Sequence, residues 1–174
     1  MTGVCDHCGC RQVEAVGELM DEHAALVDQA YGVRRAVRAD DLGTALSRLA
    51  DVVPLLQRHV RREEDGIFRA LRDSGEFLDE IDALEGEHGS LEGAIDDLDR
   101  GAPDLSVAII DLLDALQAHI DREDYGIFPV SVVTLGAAEW AIVDETRAAQ
   151  PSFLLDHVPP SSPDLEESSW SRSH

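Results

Sequence analysis

Two stretches of this chain repeat each other sixty residues apart, and the repeat limits what the chain can fold into. His59-Val-Arg-Arg-Glu63-Glu64-Asp-Gly66-Ile67-Phe68 matches His119-Ile-Asp-Arg-Glu123-Asp124-Tyr-Gly126-Ile127-Phe128. Each copy sets a histidine and a glutamate four residues apart, so on an α-helix both side chains share one face, one turn apart. On a solvated face such a pair contributes only about 0.2–0.5 kcal/mol. Here both pairs sit in apolar stripes of helical period. One stripe reads Leu46, Leu49, Val53, Leu56, His59, Glu63, Ile67; the other reads Leu105, Ile109, Leu112, Leu116, His119, Glu123, Ile127. The pairs therefore point into a core.

Two more segments carry the same period. Val16, Leu19, Leu26, Ala30 and Val33 mark a helix over about 13–37, with His23 inside its stripe. Phe77, Ile81, Leu84, His88, Leu91, Ile95 and Leu98 mark another, with His88 in a core slot. Glu22-His23-x2-Leu26 matches Glu87-His88-x2-Leu91, so the repeat extends to whole helical hairpins related by an approximate two-fold axis. Asp40-Asp41 and Pro103-Asp104 read as acidic caps, and Arg72-Asp-Ser74-Gly75 as a turn. Pro54 is expected to kink or break the second helix, and Pro129 to end or bend the fourth. The expected fold is all-α: an antiparallel up-down-up-down four-helix bundle over residues 12–150, with a short extra helix near Ala137–Arg147. Residues 151–174, rich in Pro, Ser and acidic side chains, read as a disordered tail.

A length of 174 residues suits one domain with a core of its own. The 36 acidic side chains against 14 basic ones give a formal charge of -22, which repels nucleic-acid phosphates and anionic membranes. No apolar run approaches the length of a membrane span and no charged-then-apolar leader opens the chain, so the cytoplasm is the expected compartment. Segment 1–11 carries all three cysteines, as Cys5-x2-Cys8-x-Cys10 with His7 beside them. It reads as an exposed thiol segment or a partial metal site, outside the apolar rhythm and dispensable to the bundle.

Each expected helix brings one inward histidine: His23, His59, His88 and His119. Burying one unpartnered costs on the order of 1–3 kcal/mol, and a buried carboxylate must be paired or coordinate a metal. Four imidazoles with Glu63 and Glu123 exceed what one closed tetrahedral zinc site takes. They fit two metals, each with two terminal histidines, bridged by the two glutamates. Ligand softness allows Fe, Zn, Cu or Ni. Gly66 and Gly126, seven residues after their histidines, are expected to face inward above the metals. There they serve either close helix contact or room for a small ligand.

Over residues 13–135 the chain resembles the hemerythrin (HHE cation-binding) family, bacterial members included. The matching residues are His23, then His59 with Glu63, then His88, then His119 with Glu123 or Asp124. The resemblance implies a four-helix bundle around two iron ions in an oxo- or hydroxo-bridged non-haem centre. It also implies a small diatomic or peroxide ligand. The oxygen-carrying pattern has a fifth histidine where this chain has Glu92, which is either a third carboxylate ligand or, the preferred reading, part of the acidic exterior. Of Glu123 and Asp124, the repeat favours Glu123 as the ligand. The expected role is binding or reducing O2, peroxide or nitric oxide, with a peroxide-removing activity among the options. The alternative is a reversible oxygen carrier or sensor, or an iron buffer without turnover.

Overall fold

The computed structural model describes residues 9–157, and these form helices and short turns with no strand among them. Helix α1 spans Glu14–Arg38 and α2 spans Leu42–Arg62. A π-helical turn, Glu63–Phe68, joins α2 to α3 (Arg69–Ser74). Helix α4 covers Leu78–Asp96 and α5 covers Leu105–Arg122. A second π turn, Glu123–Ile127, leads into α6 (Phe128–Thr134), and α7 (Ala137–Ala149) comes after it. Short 3₁₀ turns, Cys10–Gln12 and Phe153–His157, flank the whole.

Local chemistry explains the boundaries. Asp41 caps α2 by accepting from the Thr44 amide at 2.9 Å, satisfying a donor the helix itself cannot. Gly75 ends α3 at φ 77°, a left-handed conformation that glycine adopts without a Cβ penalty. Pro54 does not break α2. Ala50 and Pro54 are both exposed, so the carbonyl left without its amide partner faces water. Pro129 likewise falls at the start of α6, where the missing N–H costs least. Phe77, expected at the head of the third stripe, instead caps α4 at φ 58° and is exposed; the buried stripe begins at Ile81.

Burial divides into two apolar cores. The first gathers Leu26, Val33, Leu49, Leu56, Leu91, Ile109 and Leu116. The second gathers Val16, Leu19, Ile67, Phe68, Leu84, Ile127 and Phe128. Along α1 and α4 the chain passes from the second core to the first; along α2 and α5 it passes from the first to the second. On all four paths the residues between the cores are the histidines. Helix α1 packs on α2 and α5, α4 packs on α5, and α7 packs on α3 and the first π turn. No described helix is long and apolar enough to cross a membrane.

Both ends of the described chain depart from expectation. Cys5, His7 and Cys8 lie outside the described residues. Cys10 is a buried, disulfide-bonded member of the second core and not part of an exposed thiol segment. The 3₁₀ turn it opens, Cys10–Gln12, packs on α1 and α6. At the other end, residues 151–157 carry structure where composition predicts a disordered tail, and residues 158–174 lie outside the described range. Ser152 is buried, Phe153 inserts into the first core, and Asp156 pairs with Arg58 of α2. One buried phenyl ring offsets the local polarity. Phe153→Ala should therefore lower unfolding stability by about 3–5 kcal/mol, the cost of emptying a buried aromatic site, in urea denaturation of the full chain.

Candidate metal centre

The polar layer between the two cores is built from side chains that the helical period alone brings to one depth. His23 (α1), His59 (α2), His88 (α4) and His119 (α5) are all buried, and so are Glu63 and Glu123, the first residues of the two π turns. Two groups of four could each hold a metal ion: His23, His59, Glu63 and Glu123, and Glu63, His88, His119 and Glu123. Within each group the ligand atoms lie within 4.8 Å of one another. The carboxylates belong to both groups. His59 Nε2 faces Glu63 Oε1 at 3.0 Å and His119 Nε2 faces Glu123 Oε1 at 3.1 Å, within their own segments. His23 Nε2 lies 3.1 Å from Glu123 Oε2 and 3.4 Å from Glu63 Oε1, and His88 Nε2 lies 3.5 Å from Glu63 Oε2.

These atoms face one another at ion-pair distance but without hydrogen-bond geometry. Nε2 of His23, His59 and His88 and both oxygens of Glu63 and Glu123 are buried with no hydrogen-bond partner. Seven such atoms at one place would be a heavy penalty in a core left to itself, since each costs on the order of 1–3 kcal/mol. A cation is the one partner that satisfies convergent lone pairs from imidazole and carboxylate together, so the donor set fits a metal.

The opposite ring nitrogens are all engaged. His59 Nδ1 pairs with Glu22 at 2.7 Å and His23 Nδ1 with Asp124 at 2.7 Å. His88 Nδ1 pairs with Glu64 and His119 Nδ1 with Glu87, each at 2.8 Å. A carboxylate on Nδ1 fixes the proton there, turns the Nε2 lone pair toward the centre and raises its basicity. Arginines back these carboxylates in turn: Arg62 binds Glu22 and Glu18, and Arg122 binds Glu87 and Glu80. Phe128 stacks on His23 with centroids 5.5 Å apart, and Phe68 stacks on His88 at 5.7 Å. Apart from the Arg62–Glu18 and Arg122–Glu80 pairs, each of these contacts has its counterpart under the sequence repeat.

All six residues singled out in the sequence come together. Asp124 does not join either group; it holds the back of the His23 ring. Glu92 is exposed and also outside both groups. Gly66 does not face the centre: a Cβ there would meet Thr146 of α7 at 3.4 Å, and the Thr146 hydroxyl donates to the Asp65 carbonyl at 2.9 Å. Gly126 is half-buried, and a Cβ added there meets nothing within 4 Å. The reason is the π turn, whose extra residue rotates the residues after it by roughly 100° from the α-helical register. The sequence reading missed the outer carboxylates Glu22, Glu64 and Glu87 and the two arginines. The signal that could have found them was the repeat itself, which preserves an acidic residue before each lone histidine and after each glutamate of the layer.

A groove of about 430 Å³ runs between α2 and α4, lined among others by Val60, Glu64, His88, Gly89 and Glu92. A second cavity, about 270 Å³, lies between α4 and α5 and is lined by Glu87, His119 and Arg122.

A helical fold that gathers four imidazoles and two shared carboxylates between two apolar cores defines a metal-binding helical protein. Residues 14–131, more than half the chain, match the hemerythrin HHE cation-binding domain, and the chain belongs to that family. Neither a curated protein nor a solved structure gives a match.

The same geometry sets the protonation of the cluster before a cation displaces the protons. Burial opposes charge on each imidazole, but the surrounding carboxylates outweigh it. His23 is held well above its usual value by Asp124, Glu123 and Glu63, and His88 is pushed up to about 11 by Glu123 and Glu63. His59 and His119 are raised in the same way. Burial also opposes charge on the glutamates, and for Glu123 the charge of Glu63 adds to that. The histidines still hold Glu63 well below the carboxylate range and Glu123 at about 2. Histidines raised on folding stabilise fully below their unfolded value near 6.5 and lose that contribution as pH rises toward the folded values. Carboxylates lowered on folding stabilise fully above about 4.5 and lose it as pH falls toward about 2. Metal-free protein should therefore have its highest urea midpoint between about pH 4.5 and 6.5 and a falling one from pH 6.5 to 9. A midpoint that rises across that upper range would contradict the ion-paired cluster.

Proposed function

We propose that Glu63 and Glu123 bridge two metal ions, one capped by His23 and His59 and the other by His88 and His119. The metals are iron, and the centre binds or reduces a small oxidant: O2, peroxide or nitric oxide. The observation that carries the reading is that both carboxylates belong to both four-residue groups, which is what a bridging ligand must do. The four long helices form an antiparallel up-down-up-down bundle in this reading, supported by the alternating order in which they meet the two cores.

Bound iron supplies a reversible one- or two-electron change next to positions the protein leaves unfilled. The chain supplies the rest. Each imidazole donates as a neutral ligand because its other nitrogen holds a proton against a carboxylate. Phe68, Phe128, Leu56 and Leu84 surround the layer with apolar surface, which excludes bulk water and admits only small molecules. Only two carboxylates enter the layer, so the anionic charge at the metals is modest. That supports reversible binding, sensing or peroxide removal over the oxidation of hydrocarbons. Glu92, exposed at the groove, does not replace the fifth histidine of the oxygen-carrying pattern, which leaves ligand positions open. The acidic surface, with a formal charge of -22, fits a cytoplasmic protein with no nucleic-acid or membrane partner.

Iron-loaded protein should hold two ions per chain by metal analysis. His59→Ala and His119→Ala should each lose at least one and melt at lower temperature, because the remaining carboxylates stay buried without a partner. Glu92→Gln should keep both. Retention of two ions by both histidine variants would overturn the ligand set. Oxygen evolution from hydrogen peroxide, above that of free iron and absent in His88→Ala, is the expected chemical readout. Stable reversible dioxygen binding without turnover would instead make the protein a carrier or sensor.

A further inference from the structure

The repeat makes the two halves of the centre equivalent in sequence, but the fold does not keep them so. The carboxylate behind His59, Glu22, is 0% exposed, and the arginine clamping it, Arg62, is 3% exposed. Their counterparts behind His119, Glu87 and Arg122, are 35% and 38% exposed. The same holds for the other pair: Asp124, behind His23, is 19% exposed and Glu64, behind His88, is 38% exposed. The difference comes from residues with no counterpart in the other hairpin. Helix α7 packs on the first π turn, α3 and α1, and the 3₁₀ turn Phe153–His157 packs on α2. Phe153 anchors that turn in the first core, and Arg58 ties it down through Asp156 and the Pro151 carbonyl. Buried Ser152 accepts from the Leu154 amide at 3.2 Å, which fixes the start of that turn. On the other side, the α2–α4 groove reaches His88 and the α4–α5 cavity reaches His119. On α4, Gly89 lines the groove with no side chain to close it, and an added Cβ there would meet nothing within 4 Å.

We propose that the two metal positions are inequivalent. The position held by His88 and His119 exchanges with solution and meets the external ligand through the α2–α4 groove, while the position held by His23 and His59 is locked. Glu22 is a positioning residue for the locked half, holding His59 Nδ1 at 2.7 Å out of reach of water. This rests on the two-metal reading above. The physical argument concerns what must move for an ion to leave. An imidazole has to swing off the metal, breaking its Nδ1 bond to a carboxylate, and water or a chelator has to take its place. Around His119 the carboxylate already meets water, which replaces the broken bond as it opens, and a cavity gives the ring room. Around His59 the carboxylate is held by Arg62 in a close-packed interior with no solvent to compensate. The same exposure that lets an ion out lets a small ligand in.

The test is release of iron from the full-length ferrous protein to 2,2′-bipyridine under anaerobic conditions, monitored by the colour of the chelate. Two phases of one ion each are expected, separated by at least about tenfold in rate, the scale of losing a metal ligand's outer support. Glu22→Gln should speed the slow phase alone, and Glu87→Gln should speed the fast phase alone. Release of both ions in a single phase would overturn the inequivalence. Glu22→Gln speeding both phases would overturn the positioning role, since general loosening of the fold would do that. A starting content of one ion per chain would refute the two-metal reading by itself. In that case His119→Ala keeping the ion supports the inequivalence, and His59→Ala keeping it overturns it. A chain that binds none overturns both.

Discussion

The structure depends on one unfavourable fact: six ionisable side chains are buried at one depth between two apolar cores, with their lone pairs aimed at each other. Imidazole and carboxylate groups so placed cannot be satisfied by ordinary hydrogen bonding, because seven of their atoms have no partner. A cation satisfies them all at once, which couples metal binding to the packing of the whole bundle. The helices on either side then work as a frame. Each brings one histidine to the shared layer, and apolar residues above and below it supply the burial that keeps water out.

Around that layer the protein builds outward in a fixed order: histidine, then carboxylate, then arginine. The order explains much of the sequence's acidity near the site, where Glu22, Glu64, Glu87 and Asp124 serve as hydrogen-bond acceptors for ring nitrogens. The two π turns belong to the same construction. Each begins at a glutamate of the layer and inserts an extra residue, so that the glutamate and the phenylalanine five residues on both face the interior. In an unbroken α-helix those two positions would diverge. The first π turn frees backbone groups, and Thr146 of α7 takes up one of them, the Asp65 carbonyl. The same packing sets Gly66 against the Thr146 side chain of α7.

The approximate two-fold symmetry is broken by what the repeat does not contain. The first hairpin is covered by α7 and the turn after it, and the second is not. A duplicated helical hairpin alone would present two equal metal positions. The added C-terminal covering, seated on one half only, leaves the carboxylates behind His23 and His59 more buried than those behind His88 and His119. Glu92 lies on this exposed side, lining the groove that reaches His88.

The all-helical fold, the four long helices and the six inward residues were legible in the sequence for a common reason. A helix of fixed period places residues at i and i+4 on one face, so a histidine in a leucine stripe can be assigned to the core without knowing its neighbours. The repeat added the inference that the carboxylates are shared. What local pattern could not give was anything that depends on who sits across the helix. Asp124 and Glu123 are adjacent in the chain, and only the π turn and the position of α1 send one to the centre and the other to the back of His23. Cys10 and Phe153 sit in segments too short and too polar to show a period, yet each fills a gap in a core made by distant residues. Gly66 points away from the metals because α-helical spacing does not carry through the π turn in which it sits. The sequence by itself determined which side chains are buried along each helix, because that is a property of one element's period. Which carboxylate backs which histidine, and which half of the centre meets water, was decided only by tertiary structure, because those depend on contacts between elements far apart in the chain.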